Sequence, residues 1–554
     1  MNHNLSKITL AVISATAMNM SLSVHAQEET KNVKDDLEVI EVSGIRQSLT
    51  NALAEKRSAD SLVEIIQSED IGKLPDQNLA EVLENVTGIQ ITRQAGVGTG
   101  VQIRGTDANR TEINGVSTVG SGSGRSGISF EDVSASIISS LEVIKSPEAK
   151  TIEGSVGGTI NLKTIRPLQL GEQLATIRVQ GENSSLSTDS GLQPRFSGTF
   201  ADNWEGDFGE FGILVSGSYA EQDVTAFRPR ADRDNIVTSD SGVASAQSFD
   251  FLPIQFFVQD YDNYEYETKN FVGTLEWAPN DNTKFYFDAV VNDQERRQES
   301  SRVQASGVSA LNDISVPDEF ETINLGSLGG TNLGSIQAAL RGVIPVNLAN
   351  DDDDPNLRFS SDTNSRVTDS NIFRLGGEWQ GDKWFVSAEV ASSSSDTTTP
   401  SFNTTLNFIN PNAPLDAGGG NDNSVPFEYD LSGGALTFGI AQGAEYAPTV
   451  EQLLDPANVV LRDVNIGQDT VENSEDAFRI DSTYYTDSIV TSVDFGYRYS
   501  KSASKQNEIT SSVGLRSMAD SPRGDLFADL LVAGPDNFNE ADGRSLYIGD
   551  FLLI

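Results

Sequence analysis

Leu79-Ala80-Glu81-Val82-Leu83-Glu84-Asn85-Val86-Thr87-Gly88-Ile89, then Gln102-Ile103-Arg104-Gly105, Asn114-Gly115, Glu142-Val143-Ile144-Lys145 and Gly154-Ser155-Val156-Gly157-Gly158-Thr159-Ile160-Asn161-Leu162, are the runs on which the fold turns. Leu79, Val82, Leu83 and Val86 recur at helical spacing, with Pro75 and Asp76 ahead and Gly88 as a stop, which predicts one short amphipathic helix. Gly88 to Arg93 and Val101 to Gly105 alternate with period two, and Asn114-Gly115 is a hairpin turn signal. Val133, Ile137, Ile138 and Leu141 predict a second helical patch, and Glu142 to Pro147 a strand stopped by proline. The glycines of Gly154 to Gly158 would supply the φ values of a tight turn into the closing strand, so that Gly157 or Gly158 is expected at positive φ. The result is a compact α/β unit over residues 61–166.

In this order the motifs resemble the plug domain of TonB-dependent outer-membrane receptors, a specific resemblance because five motifs follow one another over roughly a hundred residues. Glu69-Asp70-Ile71-Gly72-Lys73-Leu74-Pro75-Asp76 is similar to the long-chain proteobacterial branch, whose members include carbohydrate importers. The resemblance implies an α+β plug domain followed by an antiparallel transmembrane β-barrel in the outer membrane. It also implies that Arg104, Gly105, Gly154, Gly157 and Gly158 shape the plug and carry no chemistry.

Outward from the plug, residues 1–26 read as a signal peptide: Lys7, a broken apolar stretch, then Val24-His25-Ala26 as a small-x-small cleavage site. Residues 27–60 form a polar leader holding a short β-prone run at about 37–44. By position Glu38, Val39, Ile40, Glu41, Val42 and Ser43 resemble the TonB box, which adds as a strand to the edge of the TonB periplasmic domain. Ile45, Leu49, Ala52 and Leu53 predict a short linking helix.

Beyond Pro167 the period becomes two. Expected strands are Leu174 to Glu182, Pro194 to Ala201, Gly209 to Ala220, Tyr264 to Trp277, Thr283 to Asp293, Ser370 to Trp379, Trp384 to Ser392, Ala477 to Tyr485 and Ile489 to Ser500. Tight turns alternate with long polar excursions at Glu221 to Asn263, Gln294 to Asp369 and Ser393 to Asp476, the short-periplasmic, long-extracellular pattern of an outer-membrane barrel. Trp277, Trp379, Trp384, Tyr484, Tyr485, Tyr497 and Tyr499 fit interfacial girdles, the alternative being a sandwich core. Barrels of the resembled family close about 22 strands, against roughly nine or ten here. They also finish on a strand with a terminal aromatic, whereas this chain finishes on Ile554. Residues 167–554 are therefore expected to be the N-terminal portion of a barrel.

Composition narrows the function. There is no cysteine, and His3 and His25 are the only histidines, both inside the expected signal peptide. Ser-His-Asp and Cys-His catalysis, His or Cys zinc sites and haem attachment are removed, and no catalytic residue, cofactor or metal is assigned. A formal charge of −43 opposes nucleic-acid binding. Gly96-Val97-Gly98-Thr99-Gly100 and Gly120-Ser121-Gly122-Ser123-Gly124-Arg125-Ser126 lack the spacing of nucleotide-binding loops and read as plug loops, while Asp351 to Asp354 read as a solvated loop. The expected function is TonB-energised import of a scarce bulky solute, with outer-membrane lipid and the TonB periplasmic domain as partners. An oligosaccharide is favoured by the resemblance, and weakly by Phe249, Phe251, Phe256, Phe257 and Tyr261 beside Asp250, Gln255 and Asp260, since sugars stack on aromatic faces. A ferric siderophore is the alternative within the class, and a secreted β-rich adhesin or binding module the alternative outside it.

Overall fold

A computed structural model describes residues 56, 62–67, 79–120, 122, 138–147, 149, 151–183, 191–308, 315–346, 355–414, 424–433, 436–514, 521–535, 544 and 546–554. The expected signal peptide, TonB box, linking helix, Val133, Ile137 and Asp351 to Asp354 lie outside them.

In the plug, helix α1 (Leu79–Glu84) buries Leu79, Ala80, Val82 and Leu83, the face its periodicity defines. Strands β1 (Val63–Gln67), β2 (Ile89–Gln94), β3 (Val97–Ile103), β4 (Asn109–Ile113), β5 (Val116–Ser117), β6 (Ser140–Ile144) and β7 (Gly158–Lys163) form two sheets: a β2–β3 hairpin, and the order β1-β6-β7-β4-β5. Asn114 and Gly115, both at positive φ (53° and 80°), make the β4–β5 turn. Two expectations are corrected here. Leu141 belongs to a strand, paired with Ile66 and Leu162, because its spacing from Val143 satisfied period two as well as the helical spacing from Ile137. Gly96 to Gly100 is no loop: Ala95 and Gly96 turn at positive φ, and Val97 to Gly100 continue into β3.

The rest of the chain builds a wall of nine strands, each antiparallel to its chain neighbour: β8 (Leu174–Glu182), β9 (Gln193–Gly206), β10 (Gly209–Arg233), β11 (Ile254–Asn280), β12 (Thr283–Ser306), β13 (Asn356–Gln380), β14 (Trp384–Phe408), β15 (Val459–Tyr485) and β16 (Ser492–Gly514). Among the described residues the sheet is open, with β8 and β16 at its edges. The long excursions are a third correction. Most of their length is strand, so that β10 to β16 run 23 to 27 residues each. Through Ser360 to Ser370 of β13 and Ser392 to Ser401 of β14 mostly Ser, Thr, Asp and Asn stand on both faces, so no apolar period marks them, and ladder hydrogen bonds hold them extended.

One face of this wall meets the plug. Ala201, Leu214, Val272, Val290 and Ile372 share a core with Leu79, Leu83, Ile103, Leu141, Ile160 and Leu162. The alternate residues Phe271, Leu275, Phe287, Val291, Phe373 and Leu375 are exposed on the outer face, as an apolar band must be to meet lipid. At its short-turn margin Trp204, Phe211, Trp277 and Phe285 stack in a row across four strands, and Trp384 packs on Tyr484. Among the described residues no helix is long and apolar enough to cross a membrane.

Candidate functional site

The plug is shaped at the residues its motifs contain. Arg104 stands at φ 53° and Gly105 at 80°. The Arg104 N–H donates to Gly88 O at 2.9 Å, and its guanidinium Nη1 to Lys145 O at 3.0 Å, joining the β3 end to the β6 end. Gly157 is not at positive φ; what it supplies is room, since a Cβ there would stand 2.4 Å from Asn109 Oδ1 and 3.0 Å from Ile103 O. A Cβ on Gly158 would meet Ile144 O at 2.6 Å, and Gly154, at φ 116°, lies beside Arg110 Nη1. On the plug edge Glu64 binds Lys56 Nζ at 2.6 Å and faces Lys145 Nζ at 3.7 Å. Burial pushes the Glu64 carboxyl up, but the hydrogen bond and charge of Lys56 with the charge of Lys145 hold it below its ordinary range.

Three sets of contacts seat the plug. At its exit Arg166 makes a bidentate pair with Asp288 (2.8 and 3.0 Å), and Asp288 also accepts from Arg374 at 3.1 Å and Thr274 at 2.9 Å. Asn473 donates to the carbonyls of Gly120 (2.7 Å) and Gly122 (2.8 Å). Arg110 approaches Glu475 at 3.8 Å, which Arg498 holds at 2.8 Å, along a cavity of about 1230 Å³ between the plug and β15–β16.

At the β2–β3 tip Gln94 donates to Tyr264 Oη at 2.8 Å and accepts from Arg296 at 3.4 Å, while Val97 packs on Tyr264 and Tyr266. Pairing is continuous, so the same face of the wall can be followed past the tip. Its next positions are polar and tied across strands: Arg302 Nε donates to Asp260 at 2.6 Å, Arg228 holds Asp262 at 2.5 Å, Ser300 donates to Asp262 at 2.6 Å, and Asn403 to Asp362. A polar vestibule above the plug tip is the surface a solute arriving from outside would meet. Of these residues sequence reasoning picked out Asp260 alone, because the rest fall in the supposed loops; the signal was there in Asp260, Asp262, Arg296 and Arg302, each an even number of positions from the next on its strand.

The aromatic candidates sit elsewhere. Phe251, Phe257 and Tyr261 are fully buried. Phe257 and Tyr261 lie on the wall's other face, in a cluster with Phe359, Phe408, Phe427, Phe438 and Phe551, so neither offers a free ring to a sugar. Phe256 faces the vestibule side but is covered by Arg230, 5.2 Å from its centroid.

Residues 55–159 match the family described as TonB-dependent Receptor Plug Domain. The chain carries a TonB-dependent receptor plug. The vitamin B12 transporter BtuB of Vibrio vulnificus is 30% identical over 164 residues, 28% of this chain and 25% of that one. BtuB of Photobacterium profundum is 27% identical over 184 residues, 32% and 27% of the two chains. This chain thus matches about a quarter of the length of these curated relatives. Among solved structures, the ferric preacinetobactin receptor BauA of Acinetobacter baumannii aligns over 82% of this chain and 60% of its own, with 12% identity and a TM-score of 0.32. The outer apolar band, the seated plug and the antiparallel wall are the parts that such a receptor needs.

Proposed function

We propose that this chain imports a bulky solute across the outer membrane, energised through TonB, and that the solute is an oligosaccharide. The observation that carries the reading is the plug tip, bonded through Gln94 to Tyr264 and Arg296 directly beneath the polar vestibule. A solute resting there touches plug and wall together, so its arrival can be sensed by the element that TonB would pull. The curated relatives are named as transporters of vitamin B12, a large polar cargo, which supports the size class. Carboxylates, amides and hydroxyls in alternate rows suit a polyhydroxylated ligand, which needs many hydrogen bonds and little apolar area.

The leader supplies the coupling. If Glu38 to Ser43 pairs with TonB as an added strand, proline at Ile40 or Val42 removes a backbone donor and interrupts the ladder. Surface binding of labelled oligosaccharide should then match wild type, while accumulation falls to that of a strain lacking TonB. Undiminished uptake by both variants, at matched expression, would show that this run is not the TonB contact. Growth of a deletion strain on a panel of oligosaccharides and iron sources tests the cargo: a defect confined to iron limitation would replace the oligosaccharide by a ferric siderophore.

A further inference from the structure

The outermost row of the vestibule holds charge that the protein does not neutralise. Arg358 on β13 is the register partner of Asn407 on β14, and Asn407 of Val460 on β15. Paired residues of antiparallel strands share a face, so all three look toward the same side as Tyr264 and Arg296. Between Thr405 and Leu406 the β14–β15 register shifts by one residue, which leaves Arg462 as the unpaired extra residue beside this row. Arg523, bridged to Val460, adds a third basic residue.

Each of these groups lacks something. Among the described residues Arg358 has no ion pair, and its Nε is buried without a hydrogen-bond partner. The charge of Arg462 reaches Arg358 and is repulsive; only Asp463 opposes it, and Asp463 is held by Arg462 at 2.9 Å. Arg462 Nη1 is also without a partner. Asn407 is fully buried, yet neither its amide nitrogen nor its oxygen is bonded. A buried amide and a buried guanidinium left unmatched each lose the hydrogen bonds water would have given them, a cost a fitting ligand removes. Two guanidinia and an amide N–H at one level of three neighbouring strands form the donor set that a planar or tetrahedral oxyanion satisfies. Arg358 and Arg462 are half-buried, so each side chain keeps some open surface.

We propose that Arg358, Arg462 and Asn407 form an oxyanion subsite that takes a carboxylate, sulfate or phosphate group of the imported solute. The proposal rests on the import reading above and narrows its cargo to an acidic oligosaccharide. In a chain of formal charge −43 such a local excess of donors also gives direction, since an anionic group repelled elsewhere finds its minimum there.

The test is a titration of the full-length receptor in detergent with oligogalacturonate, its fully methyl-esterified neutral form, inorganic sulfate and inorganic phosphate, followed by calorimetry. The acid form should bind at least tenfold more tightly than the ester, and R358Q or R462Q should remove that advantage. N407L is the decisive variant: an apolar side chain of similar shape replaces a buried amide that has no partner, so thermal stability should hold or rise while anion affinity falls. Equal binding of acid and ester, or an unchanged anion affinity in R358Q and N407L, would overturn the subsite. Failure of every anion to bind would do the same. Binding of sulfate or phosphate without either oligosaccharide, lost in N407L, would keep the subsite and remove the oligosaccharide cargo, so the two proposals fail separately.

Discussion

Gly157 and Glu64 show how single residues set the plug. A valine at Gly157 must displace the Asn109 carboxamide and press on the Ile103 carbonyl, and at Gly158 the Ile144 carbonyl, so each substitution should cost about 1–3 kcal/mol or more as overpacking. Reduced yield of heat-modifiable receptor in outer membranes is the expected readout, and wild-type yield of both variants would refute it. The Glu64 carboxylate is favoured in the folded plug, so its folded pKa lies below its unfolded one. Its stabilising contribution is complete above the ordinary glutamate range near 4.5 and is lost as pH falls through the lower folded value. Exchange protection of the β1 and β6 amides, relative to their intrinsic rates, should therefore fall on acidification over that window, and E64Q should flatten the dependence. An unchanged pH profile in E64Q would show that another group controls it.

Among elements, the wall strands separate what alternation reveals from what it hides. Phe271 to Trp277 alternate cleanly because one face meets lipid and the other the plug, and the sequence placed those segments within a few residues. Beyond Tyr264 the plug-side face turns polar with Asp262 and Asp260 while Tyr261 and Phe257 make the other face apolar, so the pattern changes sides and the strand continues unseen to Ile254. The plug was legible for the opposite reason: Asn114-Gly115 and Gly157-Gly158 are demanded by local geometry whatever surrounds them. The vestibule was not legible, since Asp260 and Arg302 acquire meaning only once β11 and β12 are in register. The band makes a prediction of its own. Leu275→Arg, on the exposed face at mid-band, should cost about 2–4 kcal/mol of stability in lipid. Equal urea midpoints for L275R and wild type in bilayers would remove the assignment of that face to lipid.

For the molecule as a whole, the seating contacts divide by strength. Asp288 is buried and serves Arg166, Arg374 and Thr274 at once; D288A leaves Arg166 only Glu276 at 3.8 Å and takes one of the two carboxylates from Arg374, which keeps Glu389, and should cost roughly 3–5 kcal/mol. Glu475 meets Arg498 at 2.8 Å and Arg110 only at 3.8 Å beside an open cavity, and E475Q, which keeps a hydrogen-bonding amide there, should cost less. Denaturant midpoints that rank the other way would reverse the assignment. The length of the strands has a consequence for the cell surface. From Phe271, at the distal margin of the apolar band, β11 runs a further 17 positions to Ile254, about 56 Å along the strand and roughly 40 Å along the membrane normal at a barrel tilt near 40°. The receptor's mouth therefore stands clear of the lipid headgroups, level with whatever saccharide coat covers the cell, where antibodies and phage tail fibres can touch it without reaching the bilayer.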